Sequence, residues 1–291
     1  MAEERTWTVR DLLAWAGPWL TKHGLDDNPR LDGELLLAKA LGLRRLDLFL
    51  DPDRPLIPAE LATFKGLIKR RAAREPVAYI TGQREFWKSS FAVTPAVLIP
   101  RPDTEKLVEL VLSRYPLRDH PLEILELGVG SGVVLASLLL EYPGGRGVGV
   151  DCSEAALAVA RRNFATLGLD SRALLRQGNW FGVLDPGERF DVIVANPPYV
   201  ADGEWQELQP EIRLWEPKEA LLAGPDGLNA YRTLLPGSGP WLKPDGMLAV
   251  EIGTTQGEAV SDLMRQARYQ EVAVHRDYSG HPRVVTGRGG G

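Results

Sequence analysis

The chain has 291 residues, 44% of them hydrophobic and 25% charged, which suits one large and one smaller globular domain and argues against wholesale disorder. A formal net charge of -5 counts against a strongly basic nucleic-acid binder, although a basic stripe can sit on an acidic whole. The single cysteine, Cys152, excludes an intramolecular disulfide; read as a buried thiol it suits a reducing cytoplasm, and residues 1–5 lack the apolar core of a signal peptide.

Thr8-Val9-Arg10-Asp11 has capping-box spacing ahead of Leu12, Leu13, Trp15, Ala16 and Trp19. It predicts a first helix, which Pro18 should kink or shorten. Asn28 and Pro29 predict an N-cap and a first helical proline, followed by Leu31, Leu35, Leu36, Ala38 and Leu41 at helical spacing. A third helix is expected over 58–74, with Leu61, Phe64, Leu67 and Ile68 on one face and Lys65, Lys69, Arg70, Arg71 and Arg74 elsewhere. Residues 1–74 thus read as a small all-helical domain.

Residues 75–98 read as a connecting β-hairpin. Tyr79, Ile80, Thr81, Phe86, Trp87, Phe91 and Val93 are strand formers, and Lys88-Ser89-Ser90 is the expected turn. Residues 99–291 form the third region, in which strands and helices alternate. Strands are expected over 124–127, 147–150, 173–176, 190–195 and 248–252. A helix is expected over 133–142, and Ser153 should cap another that runs through Ala160. Lys243-Pro244-Asp245-Gly246 reads as a turn before the last strand, and Gly289-Gly290-Gly291 as a frayed end. This alternation implies an α/β fold: a parallel sheet with helices on both faces.

Gly128-Val129-Gly130-Ser131-Gly132 follows the first of these strands and opens a helix. Glycines there allow a tight turn and close approach of a ligand to backbone. A dinucleotide fingerprint would want glycine where Val133 stands, so the loop better matches enzymes that bind S-adenosylmethionine. Asp151 ends the next strand, where a carboxylate can accept from both ribose hydroxyls. Trp180, in the turn after 173–176, could stack on adenine, and Asn179 could read its edge. The four histidines are scattered without ligand spacing, so no metal is expected.

The strand over 190–195 runs into Asn196-Pro197-Pro198-Tyr199. Two prolines remove two donors and fix φ, which leaves carbonyl oxygens without local partners. An amide or exocyclic amino nitrogen has a delocalised lone pair and is a poor nucleophile. Acceptors on its two N–H bonds, the Asn196 side-chain oxygen and the Pro197 carbonyl, would orient it and stabilise the growing charge. Pro198 shapes the turn, and Tyr199 supplies a flat wall for a planar group. The residues alone therefore point to methyl transfer onto a planar nitrogen.

At these residues the chain resembles the HemK/PrmC family, the protein-(glutamine-N(5)) methyltransferases of peptide chain release factors. The likeness extends over Glu75-Pro76-Val77-Ala78-Tyr79-Ile80-Thr81-Gly82, Pro100-Arg101-Pro102-Asp103-Thr104-Glu105, Glu216-Pro217, Asp226-Gly227-Leu228 and Glu251-Ile252-Gly253 with Gln256. The resemblance implies a seven-stranded, Rossmann-like class I methyltransferase sheet and a helical N-terminal domain that docks the protein substrate. It implies cofactor contacts from Gly128, Val129, Gly130, Ser131, Gly132, Asp151, Trp180 and Asn196, and S-adenosyl-L-homocysteine as product. It further implies class I release factors as partners, with the glutamine of their Gly-Gly-Gln motif held by Asn196, Pro197, Pro198 and Tyr199. No membrane and no direct nucleic acid are expected. Glu126 and Asn179 stand where aspartate is commoner, Trp215 where tyrosine is usual, and Lys88 where glycine is frequent. Asn-Pro-Pro-Tyr alone also occurs in adenine-N6 and guanine-N2 methyltransferases. A base-modifying enzyme, a ribosomal-protein glutamine methyltransferase and a non-catalytic cofactor-binding protein therefore stay open as alternatives.

Overall fold

A computed structural model describes residues 6–289. Gly290, Gly291 and residues 1–5 lie outside the described residues, whereas Gly289, expected to fray, donates its N–H to the Gly246 carbonyl at 2.8 Å. The chain divides into two compact units, one of residues 1–82 with 209–215 and one of residues 83–208 with 216–291.

In the first unit, the Thr8 hydroxyl and the Asp11 carboxylate cap α1 (Val9–Lys22) reciprocally. The helix is not shortened at Pro18. Ala14 and Pro18 are both exposed, so the carbonyl deprived of its donor faces water, and Leu12, Ala16 and Leu20 are buried on the other side. α2 (Pro29–Leu41) starts at Pro29 as expected, but Asn28 makes no side-chain cap. Gly33 lets α1 and α2 touch, since a Cβ there would stand 2.7 Å from that of Ala16. A short α3 (Asp47–Leu50), unforeseen in the sequence, precedes α4 (Pro58–Ala72), which buries Phe64 and Ile68.

Tyr79, Ile80 and Thr81, expected as strand, lie in α5 (Val77–Thr81), capped by Gly82 at φ 79°. Burial of Ile80 in the helical core overrides the β preference of these side chains.

The second unit opens with a hairpin, β1 (Gln83–Phe86) and β2 (Ser89–Ala92). Phe86 pairs with Ser89, so the turn is Trp87-Lys88 rather than Lys88-Ser89-Ser90, and Trp87 takes φ 54°. There follow α6 (Glu105–Arg114), β3 (Glu123–Leu127), α7 (Val133–Glu141), β4 (Arg146–Asp151), α8 (Glu154–Leu167) and β5 (Ala173–Gln177). α8 runs past Ala160, burying Asn163 and Phe164, to a left-handed cap at Gly168. β6 (Phe190–Ala195) leads through a long connection, which includes α9 (Pro210–Trp215) of the first unit, to α10 (Asn229–Ser238). β7 (Leu242–Glu251), α11 (Gly257–Gln266), β8 (Gln270–Arg276) and β9 (Pro282–Arg288) complete the chain.

The seven-stranded sheet has the order β5-β4-β3-β6-β7-β9-β8. It is mixed rather than parallel: β9 runs antiparallel to both β7 and β8. The expected turn at 243–246 lies within β7 as a bulge, because the register passes from Phe190↔Leu242 to Val192↔Met247. Alternate residues of the central strands feed opposite cores. Ile124 and Val192 join α6, α7 and α8, while Leu125 and Ile193 join α10 and α11. Strand order reverses between β3 and β6, so their carboxyl ends open a crevice, which is where open α/β sheets bind ligands.

Candidate active site

The glycine loop leaves β3 and folds onto the end of β4. Gly128 and Val129 both donate to the Val150 carbonyl, at 2.8 and 3.0 Å, and Gly128, Gly130 and Gly132 have φ of 73°, 53° and 81°. The last of these serves packing: a Cβ on Gly132 would stand 2.6 Å from Phe164 Cε1. Asp151 binds the loop to α8. Its Oδ2 accepts from the Gly130 N–H and its Oδ1 from the Ser153 N–H, both at 2.9 Å. Ser153 in turn caps α8 by accepting from the Ala156 N–H, as expected. An ionised carboxylate has about four lone-pair sites, so two remain for a diol.

Beside this loop is a cavity of about 400 Å³. Gly128, Val129, Gly130, Ser131, Asp151, Trp180, Asn196 and Pro198 line it; Gly132, Pro197 and Tyr199 do not. Cys152, read from the sequence as buried, is exposed and lies on the cavity wall. Position explains it: β4 ends at Asp151, and Cys152 is the open step between strand and cap. Glu126 also lines the cavity and is buried. Burial pushes its carboxyl up to about 8, and the charge of Asp151 adds to the rise. Among the described residues its hydrogen-bond partner is the Leu135 N–H at 2.8 Å, so it carries no cation.

Asn196-Pro197-Pro198-Tyr199 leaves the end of β6. Tyr199 and Val200 both donate to the Leu221 carbonyl, at 3.1 and 2.8 Å. Gln256 Nε2 donates to the carbonyls of Tyr199 (2.9 Å) and Gly227 (3.2 Å), and its Oε1 accepts from Gly253. The turn is therefore braced from two sides. Burial, then the nearby Glu251, pushes the Tyr199 phenol up to about 12, so it stays protonated. Asn196 Nδ2 donates to Thr104 Oγ1 at 3.3 Å. Glu216 is buried and accepts from the Ile99 N–H at 3.0 Å and from Arg101 at 2.5 Å, which fixes the segment before α6 at the cavity. Thr104, Glu216, Glu251 and Gln256 stand in the sequence only as letters of the resemblance blocks. Their one intrinsic signal is a carboxylate ending an apolar strand, at Glu251.

Among the described residues, no group of three His, Cys, Asp or Glu side chains could hold a metal ion, and no helix is long and apolar enough to cross a membrane. The sheet order, the glycine loop after β3, the carboxylate ending β4 and the Asn-Pro-Pro-Tyr turn after β6 define a class I methyltransferase. Residues 11–82 match the family model described as PrmC N-terminal domain, and residues 124–215 match one described as methyltransferase domain. The release factor glutamine methyltransferase of Geobacter sulfurreducens is 43% identical over 282 residues, covering 97% of each chain. That of Caulobacter vibrioides is 45% identical over 262 residues, covering 90% of each. The chain belongs to the release factor glutamine methyltransferase family. At the level of fold, it is also similar to the T. thermophilus 16S rRNA N2 methyltransferase in complex with AdoMet and guanosine. That structure superposes with a TM-score of 0.54 at 17% identity, covering 71% of this chain and 49% of the other.

Proposed function

We propose that the protein methylates the side-chain amide nitrogen of the glutamine in the Gly-Gly-Gln motif of class I peptide chain release factors, tuning translation termination in the cytoplasm. S-adenosylmethionine is the methyl donor and S-adenosylhomocysteine the product. The observation that carries this reading is the Asn196-Pro197-Pro198-Tyr199 turn, whose Asn196 and Pro198 line the same cavity as the glycine loop and Asp151.

The residues fit that donor. Gly128, Val129, Gly130 and Ser131 form a cradle without bulky side chains, and Asp151 has lone pairs left for ribose hydroxyls. Trp180 offers a ring for adenine, and the cation-free, buried Glu126 suits an ammonium. The bound donor supplies a methyl already activated on a sulfonium. The rest is done by this chain. The Asn196 side-chain oxygen and the Pro197 carbonyl accept from the two N–H bonds of the substrate amide, aim its lone pair and stabilise charge as it develops. Pro198 and Tyr199 bound the plane of that amide. No general base is needed, because the nitrogen proton turns acidic as the new bond forms. Tyr199, held near 12, keeps its proton and so is no base for the reaction.

The helical unit is assigned to docking of the protein substrate. Its basic helix is a poor nucleic-acid groove. Arg70 is paired with Glu75, and Arg71 and Arg74 with Glu211.

The test is transfer of labelled methyl to a release factor, to the same factor with its motif glutamine changed to alanine, and to structured RNA or duplex DNA. Label on the intact factor alone is expected, and Asn196→Ala should abolish it without loss of fold. Label on nucleic acid alone would overturn the substrate assignment while leaving the Asn-Pro-Pro-Tyr chemistry intact.

A further inference from the structure

Pro197 and Pro198 have no N–H, so past Asn196 the first backbone donor that can anchor the Asn-Pro-Pro-Tyr turn is that of Tyr199. The Tyr199 N–H donates to the Leu221 carbonyl at 3.1 Å, and the Tyr199 carbonyl accepts from Gln256 Nε2 at 2.9 Å. Gln256 has no freedom in how it does this. It is the N-cap residue of α11, its backbone N–H donates to the Gly253 carbonyl, and its Oε1 accepts from the Gly253 N–H, both at 3.0 Å. A primary amide has one oxygen and two N–H groups. With the oxygen committed to Gly253, Nε2 serves the carbonyls of Tyr199 and, at 3.2 Å, Gly227. Turned over, the amide would set its oxygen against two carbonyl oxygens and its N–H groups against the Gly253 N–H. Gly227, at φ 71°, leaves room for this meeting: a Cβ there would stand 2.4 Å from the Tyr199 carbonyl oxygen and 2.8 Å from Gln256 Nε2.

The upstream end of the turn is fixed by the sheet, where Ala195 pairs with Val250. Between the two anchors lie Asn196, Pro197 and Pro198, and two of these have φ locked by a ring. A shift at Tyr199 is therefore carried back into Pro197 rather than absorbed on the way. We infer that Gln256 is a positioning residue for methyl transfer. By holding the Tyr199 carbonyl it sets the downstream end of the turn, and with it the Pro197 carbonyl and the Tyr199 ring that meet the substrate amide. The inference rests on the methyl-transfer reading and adds the group that keeps its acceptors in register. Without the two N–H groups of Gln256, the carbonyls of Tyr199 and Gly227 face each other with no donor between them, and the turn relaxes away from the geometry that aims the lone pair.

The test is single-turnover methylation of a release factor with enzyme in excess and S-adenosylmethionine saturating, which reads the rate constant of the folded enzyme apart from its amount. Gln256→Glu keeps the size and the bond from Gly253, and turns the donor end into an acceptor facing two carbonyls. Gln256→Met removes the donors without adding charge. Gly227→Ala pushes on Tyr199 and Gln256 from the opposite side. Each should lower the rate constant about 10- to 100-fold, the scale on which a misplaced reacting group slows a reaction, with Gln256→Glu the slowest. The dissociation constant for S-adenosylmethionine, and the number of sites it titrates, should stay within about twofold of the wild type. Gln256→Met decides the matter if Gln256→Glu does not fold: a wild-type rate constant in it would overturn the inference. So would a rate loss matched by an equal loss of cofactor affinity, or a loss of cofactor sites with an unchanged rate constant in those that remain, since either makes Gln256 a support of the fold alone. In each of these cases wild-type labelling of the release factor leaves the functional reading standing; wild-type enzyme that labels no release factor removes both.

Discussion

Glu126 shows how much one residue's surroundings decide. The sequence marks it only as a glutamate where aspartate is commoner. The structure places it at the end of β3, buried in the cavity wall, with its carboxyl pushed up to about 8 from an ordinary 4.5. The folded chain therefore holds a proton over that interval that the unfolded chain has released. The stabilisation is complete below about 4.5 and is lost as the pH rises through about 8. Glu251, raised to about 7, adds to the same slope. Melting of the ligand-free protein should shift to lower temperature between these limits as pH rises, and Glu126→Gln should flatten the dependence. If Glu126 faces the ammonium of the methyl donor, binding near neutrality must also expel its proton. Calorimetry in buffers of different ionisation enthalpy should then detect proton release in the wild type and little in Glu126→Gln. A buffer-independent binding heat in the wild type would place the ammonium elsewhere.

Elements were legible in the sequence where local chemistry and burial agree. β6 matches its expected bounds because five apolar residues and a stop at Asn-Pro-Pro leave little choice. α5 was misread because Tyr79, Ile80 and Thr81 are strand formers by type, and only the core of the helical unit chooses otherwise. The antiparallel β9 was hidden for another reason: an apolar strand looks the same in either direction. In the site, the glycine loop was legible as a group, but not the division of labour within it. Gly130 lines the cavity, whereas Gly132 sits between α7 and α8 at φ 81°, with no room for a Cβ beside Phe164. Gly132→Ala adds left-handed strain to that overlap, together about 2–4 kcal/mol. Urea unfolding should show that loss, and adding Phe164→Leu should return part of it. No change in Gly132→Ala would mean that α8 moves aside at no cost, against its buried contacts with the sheet.

At the scale of the whole molecule, sequence reading handles contiguous blocks well and distant partners poorly. The helical region was legible from residue 8 onward, yet nothing local assigns residues 209–215 to it. The reason lies in charge burial. Arg71 is on the inward side of α4, with its side chain 11% exposed, and donates to Asp32 at 2.7 Å and to Glu211 at 3.0 Å. The helix whose basic residues the sequence sets off its apolar face thus carries an ion cluster that reaches 140 residues along the chain. Replacing one member of such a cluster leaves the others charged and dry, which costs about 3–5 kcal/mol. Arg71→Met keeps much of the volume and strands Asp32; Glu211 retains Arg74 at 3.3 Å. The helical unit of this variant should lose stability on that scale in denaturant melts. Amides of residues 209–215 should exchange faster with solvent while those of β3 and β6 keep their protection. The double replacement of Arg71 and Asp32 by apolar residues should recover most of the loss, because it removes the stranded carboxylate together with its partner and leaves Glu211 with Arg74. If Arg71→Met were as stable as the wild type, with unchanged exchange at 209–215, the tie between that segment and the helices would have to come from apolar contact alone.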